Sequence, residues 1–309
     1  MILIYTPIEK ELNHYRQLFA DACPDVSFVT EVAAQDAREI QQIICWGAPE
    51  GFFNRFSNLQ TVFALGAGVD SLIARADLPE HVSIVRLLDA GMAAQMVEFV
   101  RFGVLYYQRQ MLRYSQQQRE KVWRKWAPTL AGDLHITVLG AGRMGSAVAQ
   151  ALASDGYSVS VWSQSEKSLA HVECVFGDSA FDSVLARSDV IVCLLPLTKH
   201  TNGLLNHARF SQMKKGVAII NAARGDIVDE LALIEALTTE QVGFALLDVF
   251  QQEPLAASSK LWALPNVVLT PHVAAMTLRS EAVNQISANL RRLINGQALE
   301  GVVNRAVQY

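Results

Sequence analysis

Short apolar, β-branched runs alternate along the chain with stretches of helical length, the pattern of a parallel sheet covered by helices. In the first hundred residues these runs predict strands at 2–5, 26–29, 43–46, 62–64 and 84–86. Residues 95–115 carry few helix breakers and predict one long helix. A second strand series follows at 136–139, 159–162, 190–195, 217–221, 244–248 and 267–269. A last helix over 278–294 stops at Asn295-Gly296.

Two α/β series joined by a long helix predict two domains with a cleft between them. The last helix comes after the second series and is able to return to the first. The expected division is therefore a discontinuous domain, 1–97 with 275–309, and a second domain, 98–274.

Composition narrows the class. Half of the 309 residues are hydrophobic and the net charge is −4, which fits a globular protein with no bulk attraction to nucleic acid or to an anionic membrane. The basic stretch 119–125 reads as a solvated helix face or a subunit contact. Four cysteines stand far apart without a CxxC pair, so a reducing, cytoplasmic compartment is expected. The apolar start lacks a basic region and breaks at Pro7, reading as a strand rather than a signal peptide. No apolar run reaches the roughly 18 residues of a membrane span. The histidines show no HxxxH or HExxH spacing, and no metal site is expected.

The clearest local motif is Gly140-Ala141-Gly142-Arg143-Met144-Gly145, between a predicted strand and a predicted helix. Gly140 would make the tight turn, Gly142 would admit a pyrophosphate to the backbone, and Gly145 would let the helix pack on the sheet. The helix-start amides favour phosphate charge. Arg143 either adds a phosphate contact or points into solvent. At the end of the next strand, where an acid normally accepts the ribose hydroxyls of NAD, stands Ser163, eighteen residues beyond Gly145. Ser163, Gln164, Ser165 and Lys167 remove repulsion toward a 2′-phosphate and offer donors to it. No arginine accompanies them. NADPH is the expected cofactor, with NADH as a possible second.

Further motifs are Leu194-Leu195-Pro196-Leu197-Thr198, Asn221-Ala222-Ala223-Arg224-Gly225, Leu247-Asp248-Val249-Phe250, Glu253-Pro254-Leu255 and Thr270-Pro271-His272-Val273-Ala274. In order and spacing the chain resembles the D-isomer-specific 2-hydroxyacid dehydrogenases over nearly its whole length. Residues 64–70, 89–92 and 271–275 resemble the glyoxylate/hydroxypyruvate reductase A group within that family. The resemblance implies a Rossmann cofactor domain and a flavodoxin-like substrate domain. It also implies reduction of a small 2-oxo acid, glyoxylate to glycolate or hydroxypyruvate to D-glycerate. It places Gly140, Gly142, Arg143, Met144, Gly145, Ser163, Gln164, Lys167, Leu195, Pro196, Ala222 and Asp248 along the cofactor, Asp248 as acceptor for the nicotinamide amide.

Such a reduction needs a cation for the substrate carboxylate and a proton donor for the carbonyl oxygen. The planar fork of Arg224 suits the first task and the imidazole of His272 the second. By resemblance, Glu253 accepts a hydrogen bond from the other ring nitrogen of His272, orients the ring and favours its charged form. In the first domain Ala67, Gly68 and Val69 can present amides to a carboxylate, or serve only a strand-end turn. Trp46 either lines the substrate pocket, excluding longer side chains, or sits in the core. The resemblance also implies a homodimer through the cofactor domain, with residues 106–126 as the arm. Two other readings stay open: a dehydrogenase for a larger D-hydroxy acid, and an NAD(H)-sensing corepressor that does not turn over.

Overall fold

The protein is described by a computed structural model covering residues 1–307. Its described residues divide into two compact units, Met1–Gly91 with 277–307, and Met92–Met276.

The first unit holds β1 (Ile2–Tyr5), β2 (Phe28–Val29), β3 (Gln42–Cys45), β4 (Thr61–Ala64) and β5 (Ser83–Val85). Their order is β2-β1-β3-β4-β5 with every pairing parallel, the flavodoxin-like arrangement. Ile43, Val62 and Ile84 are buried between the sheet and the aromatic cluster of Phe52, Phe53 and Phe56. The C-terminal helix Arg279–Ile294 packs against Glu9–Ala22 and buries Val283, Ile286 and Leu290. That burial holds the helix; the Arg279–Glu11 ion pair beside it is partly exposed and adds little. The chain then returns to the sheet, where Val303 N donates to Ile84 O at 2.9 Å.

The second unit holds β6 (His135–Leu139), β7 (Ser158–Ser163), β8 (Glu173–Phe176), β9 (Val190–Cys193), β10 (Val217–Asn221), β11 (Val242–Leu247) and β12 (Val267–Leu269). The order β12-β11-β10-β9-β6-β7-β8, all parallel, is that of a Rossmann sheet. The strand order reverses between β6 and β9, the switch point outside which ligands bind in such sheets. Central strands are buried on both faces, which is why they read as continuous apolar runs.

Two elements differ from expectation. The strand β8 was not predicted, because Glu173-Cys174-Val175-Phe176 lies on the sheet edge and carries neither a continuous apolar run nor a clean alternation. The helix expected over 95–115 is two helices, Met92–Gln108 and Met111–Glu120, broken where Gln110 takes φ +56°. The second helix has no fully buried residue, and Leu112 near its start packs partly against the core.

At the N-terminal edge of β6–β8 a polar network closes the sheet. Ser160 Oγ donates to Glu173 Oε2 at 2.6 Å and accepts from Arg187 Nη2 at 3.0 Å. With its one proton so engaged, Ser160 accepts from His135 Nε2 at 2.9 Å. Arg187 also reaches Glu173 Oε2 at 2.5 Å. Among the described residues no helix is long and apolar enough to cross a membrane, and no cluster of His, Cys, Asp or Glu could hold a metal ion.

Candidate active site

The residues singled out in the second unit stand at the C-terminal ends of its strands. After β6 the chain turns at Gly140, whose φ is +110°; a β-carbon there would lie 2.7 Å from Leu194 O. One at Gly145 would lie 1.8 Å from Gly140 O, so the helix can sit this close only without a side chain. Above Gly142 there is open space, with no atom within 4 Å of a would-be β-carbon. The helix Arg143–Ser154 starts there with no side chain capping its first amides. An open approach, uncapped amides and a positive helix end suit a pyrophosphate. Arg143 is exposed, Met144 half-buried, and Leu195 and Pro196 follow β9 beside the turn.

At the end of β7, Ser163 is buried and its hydroxyl donates to Ser165 O at 2.7 Å. Its single donor is therefore engaged within the turn. Gln164, Ser165 and Lys167 are exposed and carry the remaining side-chain donors named for this position.

The chemistry-bearing groups gather at three adjacent strand ends. Beyond β10, buried Asn221 shapes the loop: its Oδ1 accepts from Ala223 N at 3.2 Å and its Nδ2 donates to Arg224 O at 3.1 Å. This fixes the backbone that carries Arg224, whose Nη1 donates to Ala223 O at 2.6 Å. Ala222, between them, is half-buried. Gly225 lies directly on the next loop, since a β-carbon there would fall 1.9 Å from Phe250 C. Asn221 and Gly225 flank Arg224 in its sequence motif, and a polar residue closing an apolar strand is the one sequence signal for the task of Asn221.

Beyond β11 and β12 stand Asp248, Glu253 and His272. His272 Nδ1 donates to Glu253 Oε2 at 2.8 Å, while Glu253 Oε1 accepts from Phe250 N at 3.1 Å. Both side chains keep access to solvent, at 50% and 37% exposure. His272 has φ +56°, a left-handed conformation that costs a residue with a β-carbon about 1–3 kcal/mol. Asp248 is buried, at 1% exposure, and its carboxylate accepts from Thr270 Oγ1, Val273 N and Ala274 N at 2.6–2.9 Å.

In the first unit Trp46 follows β3 and is 50% exposed, so it is not a core residue. Its ring lies on Gly66, where a β-carbon would come within 2.5 Å of Trp46 Cζ3. Ala67 and Gly68 are half-buried after β4, whereas the side chain of Val69 belongs to the core and only its backbone could meet a ligand.

A family model for the NAD-binding domain of D-isomer-specific 2-hydroxyacid dehydrogenases matches residues 102–274. The chain belongs to the D-isomer-specific 2-hydroxyacid dehydrogenase family. The matched segment of this dehydrogenase contains the glycine turn, Ser163, Arg224, Asp248, Glu253 and His272. A glyoxylate/hydroxypyruvate reductase A from Yersinia enterocolitica is 37% identical over 274 residues, covering 87% of this chain and 88% of the relative. Among solved structures, a D-isomer-specific 2-hydroxyacid dehydrogenase from Xanthobacter autotrophicus in complex with NADPH and MES superposes with TM-score 0.94 at 38% identity, covering 100% of this chain and 99% of the other. An NADPH-dependent glyoxylate/hydroxypyruvate reductase from Sinorhizobium meliloti, in complex with NADP and sulfate, gives 0.92 at 31% with coverages of 100% and 99%.

Proposed function

We propose that this chain is an oxidoreductase that reduces small 2-oxo acids, glyoxylate and hydroxypyruvate foremost, with NADPH preferred over NADH. The observation that carries the reading is the contact of His272 Nδ1, after β12, with Glu253, after β11, beside Asp248 at the end of β11 and Arg224 beyond the neighbouring β10. NADPH, when bound, supplies the hydride for C2 of the substrate. The open glycine turn, Gly140 to Gly145 with Arg143 and Met144, would hold its pyrophosphate. Gln164, Lys167 and the Ser163 turn would meet the adenosine ribose, and Leu195, Pro196, Ala222 and Asp248 would line the rest.

Arg224 grips the substrate carboxylate with its fork and polarises the ketone. Ala67, Gly68 and Val69 add backbone amides, and Trp46 limits the length of the substrate side chain. His272 Nε2, the ring nitrogen that Glu253 does not hold, gives its proton to the carbonyl oxygen as C2 gains its hydrogen. One hydride and one proton thus add across the C=O bond, leaving a 2-hydroxy acid. Glu253 keeps the resulting neutral ring oriented for reprotonation.

The relatives named as glyoxylate/hydroxypyruvate reductases, and the NADPH and NADP complexes among the similar structures, support the substrate and cofactor choice. Exposed Phe102, Leu105, Met111, Tyr114 and Trp123, the last at 96%, support a homodimer formed through the second unit. The four unpaired cysteines support a cytoplasmic location.

The test is loss of NADPH absorbance on adding glyoxylate, hydroxypyruvate, pyruvate or larger 2-oxo acids, each run also with NADH. Turnover of the two small acids is expected to be fastest. Tight NADPH binding without turnover of any acid would overturn the catalytic reading in favour of a nucleotide sensor.

A further inference from the structure

The main-chain amide of Asp248 donates to Asn221 O at 2.9 Å, while its carbonyl and its carboxylate both turn to one short piece of chain, the residues around His272. The Asp248 carbonyl accepts from His272 N at 2.9 Å. Oδ1 of its carboxylate accepts from Thr270 Oγ1 at 2.6 Å, two residues before, and from Val273 N at 2.8 Å, one residue after. Oδ2 accepts from Ala274 N at 2.9 Å. His272 sits inside this bracket with φ +56°, where residues bearing a β-carbon are disfavoured. A segment of this kind relaxes toward extended backbone unless its surroundings determine it. Relaxation would carry the ring away from Glu253 Oε2, which holds Nδ1 at 2.8 Å.

We propose that Asp248 is a positioning residue whose carboxylate clamps Thr270, Val273 and Ala274, so holding His272 in the left-handed conformation that aims its ring at Glu253 and at the substrate. The inference rests on His272 as proton donor and adds the element that sets where that donor points. It also separates two tasks for Asp248. An acceptor for the nicotinamide amide would act on cofactor binding; a clamp on the His272 turn acts on turnover.

The side chain must be a carboxylate for this task. Three donors face its two oxygens, and an asparagine in the same place turns an NH₂ group on at least one of them. Asp248→Asn therefore breaks the clamp with little change of shape. Thr270→Val removes one donor and nothing else, and serves where the asparagine variant does not fold.

The experiment measures kcat and KM for glyoxylate reduction, NADPH dissociation constant by fluorescence, and Tm on the full chain, with His272→Ala as control. For Asp248→Asn the expected result is a fall in kcat of about 30-fold or more, as a misplaced catalytic group produces. KM should stay within about threefold, and any rise in the NADPH dissociation constant should be far smaller than the fall in kcat. Thr270→Val should show the same split with a smaller loss, about fivefold, consistent with one hydrogen bond removed. Wild-type kcat in the variants that fold, alongside an inactive His272→Ala, overturns the clamp alone. A kcat loss matched by equally weakened NADPH binding overturns it in favour of a cofactor contact. An active His272→Ala overturns the clamp together with the proton-donor reading beneath it.

Discussion

Glu253 takes His272 Nδ1 with one carboxylate oxygen and the amide of Phe250 with the other. The first bond chooses which ring nitrogen remains for the substrate, and the second ties the chooser to its own loop. With Nδ1 committed, proton transfer falls to Nε2. His272→Ala should then lower kcat for glyoxylate reduction by about 10²–10⁴-fold, the usual share of general acid catalysis. Fluorescence titration should find NADPH binding intact. Near-native turnover in this variant would remove His272 from the mechanism.

Arg224 presents a planar fork from a loop that Asn221 and Gly225 hold in place. Arg224→Lys keeps the charge and loses the two-pronged grip, and kcat/KM should fall by about 10²-fold or more. The loss should exceed that of Glu253→Gln, which leaves His272 a neutral acceptor. A lysine variant as efficient as wild type would show that Arg224 is not the carboxylate clamp.

Cofactor choice turns on the end of β7. With Ser163 there, the strand end itself carries no carboxylate to oppose a 2′-phosphate, and Gln164, Ser165 and Lys167 stand exposed in the turn that follows, as does Glu166. We expect kcat/KM to favour NADPH by about tenfold, or ~1.4 kcal/mol. Ser163→Asp should shift the ratio toward NADH through repulsion and a restored ribose contact. Equal efficiency with both cofactors in the unmodified enzyme would sink the assignment, whatever the variant does.

His135 offers a check of a different kind. Burial, and after it the positive charge of Arg187, holds its imidazole below the ordinary range, with Lys214 acting the same way and Glu173 and Asp189 opposing. The folded chain therefore takes up this proton less readily than the unfolded one. Stability is lost as pH falls through the unfolded value, about 6.5, toward the lower folded one. Glu173 behaves alike at lower pH: burial opposes its ionisation, but hydrogen bonds from Arg187 and Ser160 outweigh that and lower it. Melting curves from pH 8 to 5 should show Tm falling in wild type and falling less in His135→Gln. Parallel curves would mean that His135 is not the group responsible.

Much of this was legible in the chain because the central strands are buried on both faces and so read as apolar runs, and because Gly140 and Gly145 of the turn each answer a close approach. Legibility failed where local sequence carries little of the cause. The strand β8 is an edge, half wet, and its pattern is mixed. Gln110 breaks the long helix with a left-handed residue that is neither glycine nor next to proline. Trp46 was open between pocket and core until its exposure over Gly66 decided against the core. The donors to Asp248 arrive from residues more than twenty positions later, and no spacing rule announces that.

The second unit's parallel sheet has two ends with different occupants. Arg224, Asp248 and His272 follow the strands' C-terminal ends, and the His135–Ser160–Glu173–Arg187 network closes the opposite edge. Changes at the two ends should therefore surface as different phenotypes. A lesion in the network would leave each surviving molecule fully competent and reduce how many survive, through unfolding and proteolysis in the cell. A lesion at the other end would leave the population intact and silence its members one by one. Activity per cell cannot tell these apart, whereas activity per folded molecule can.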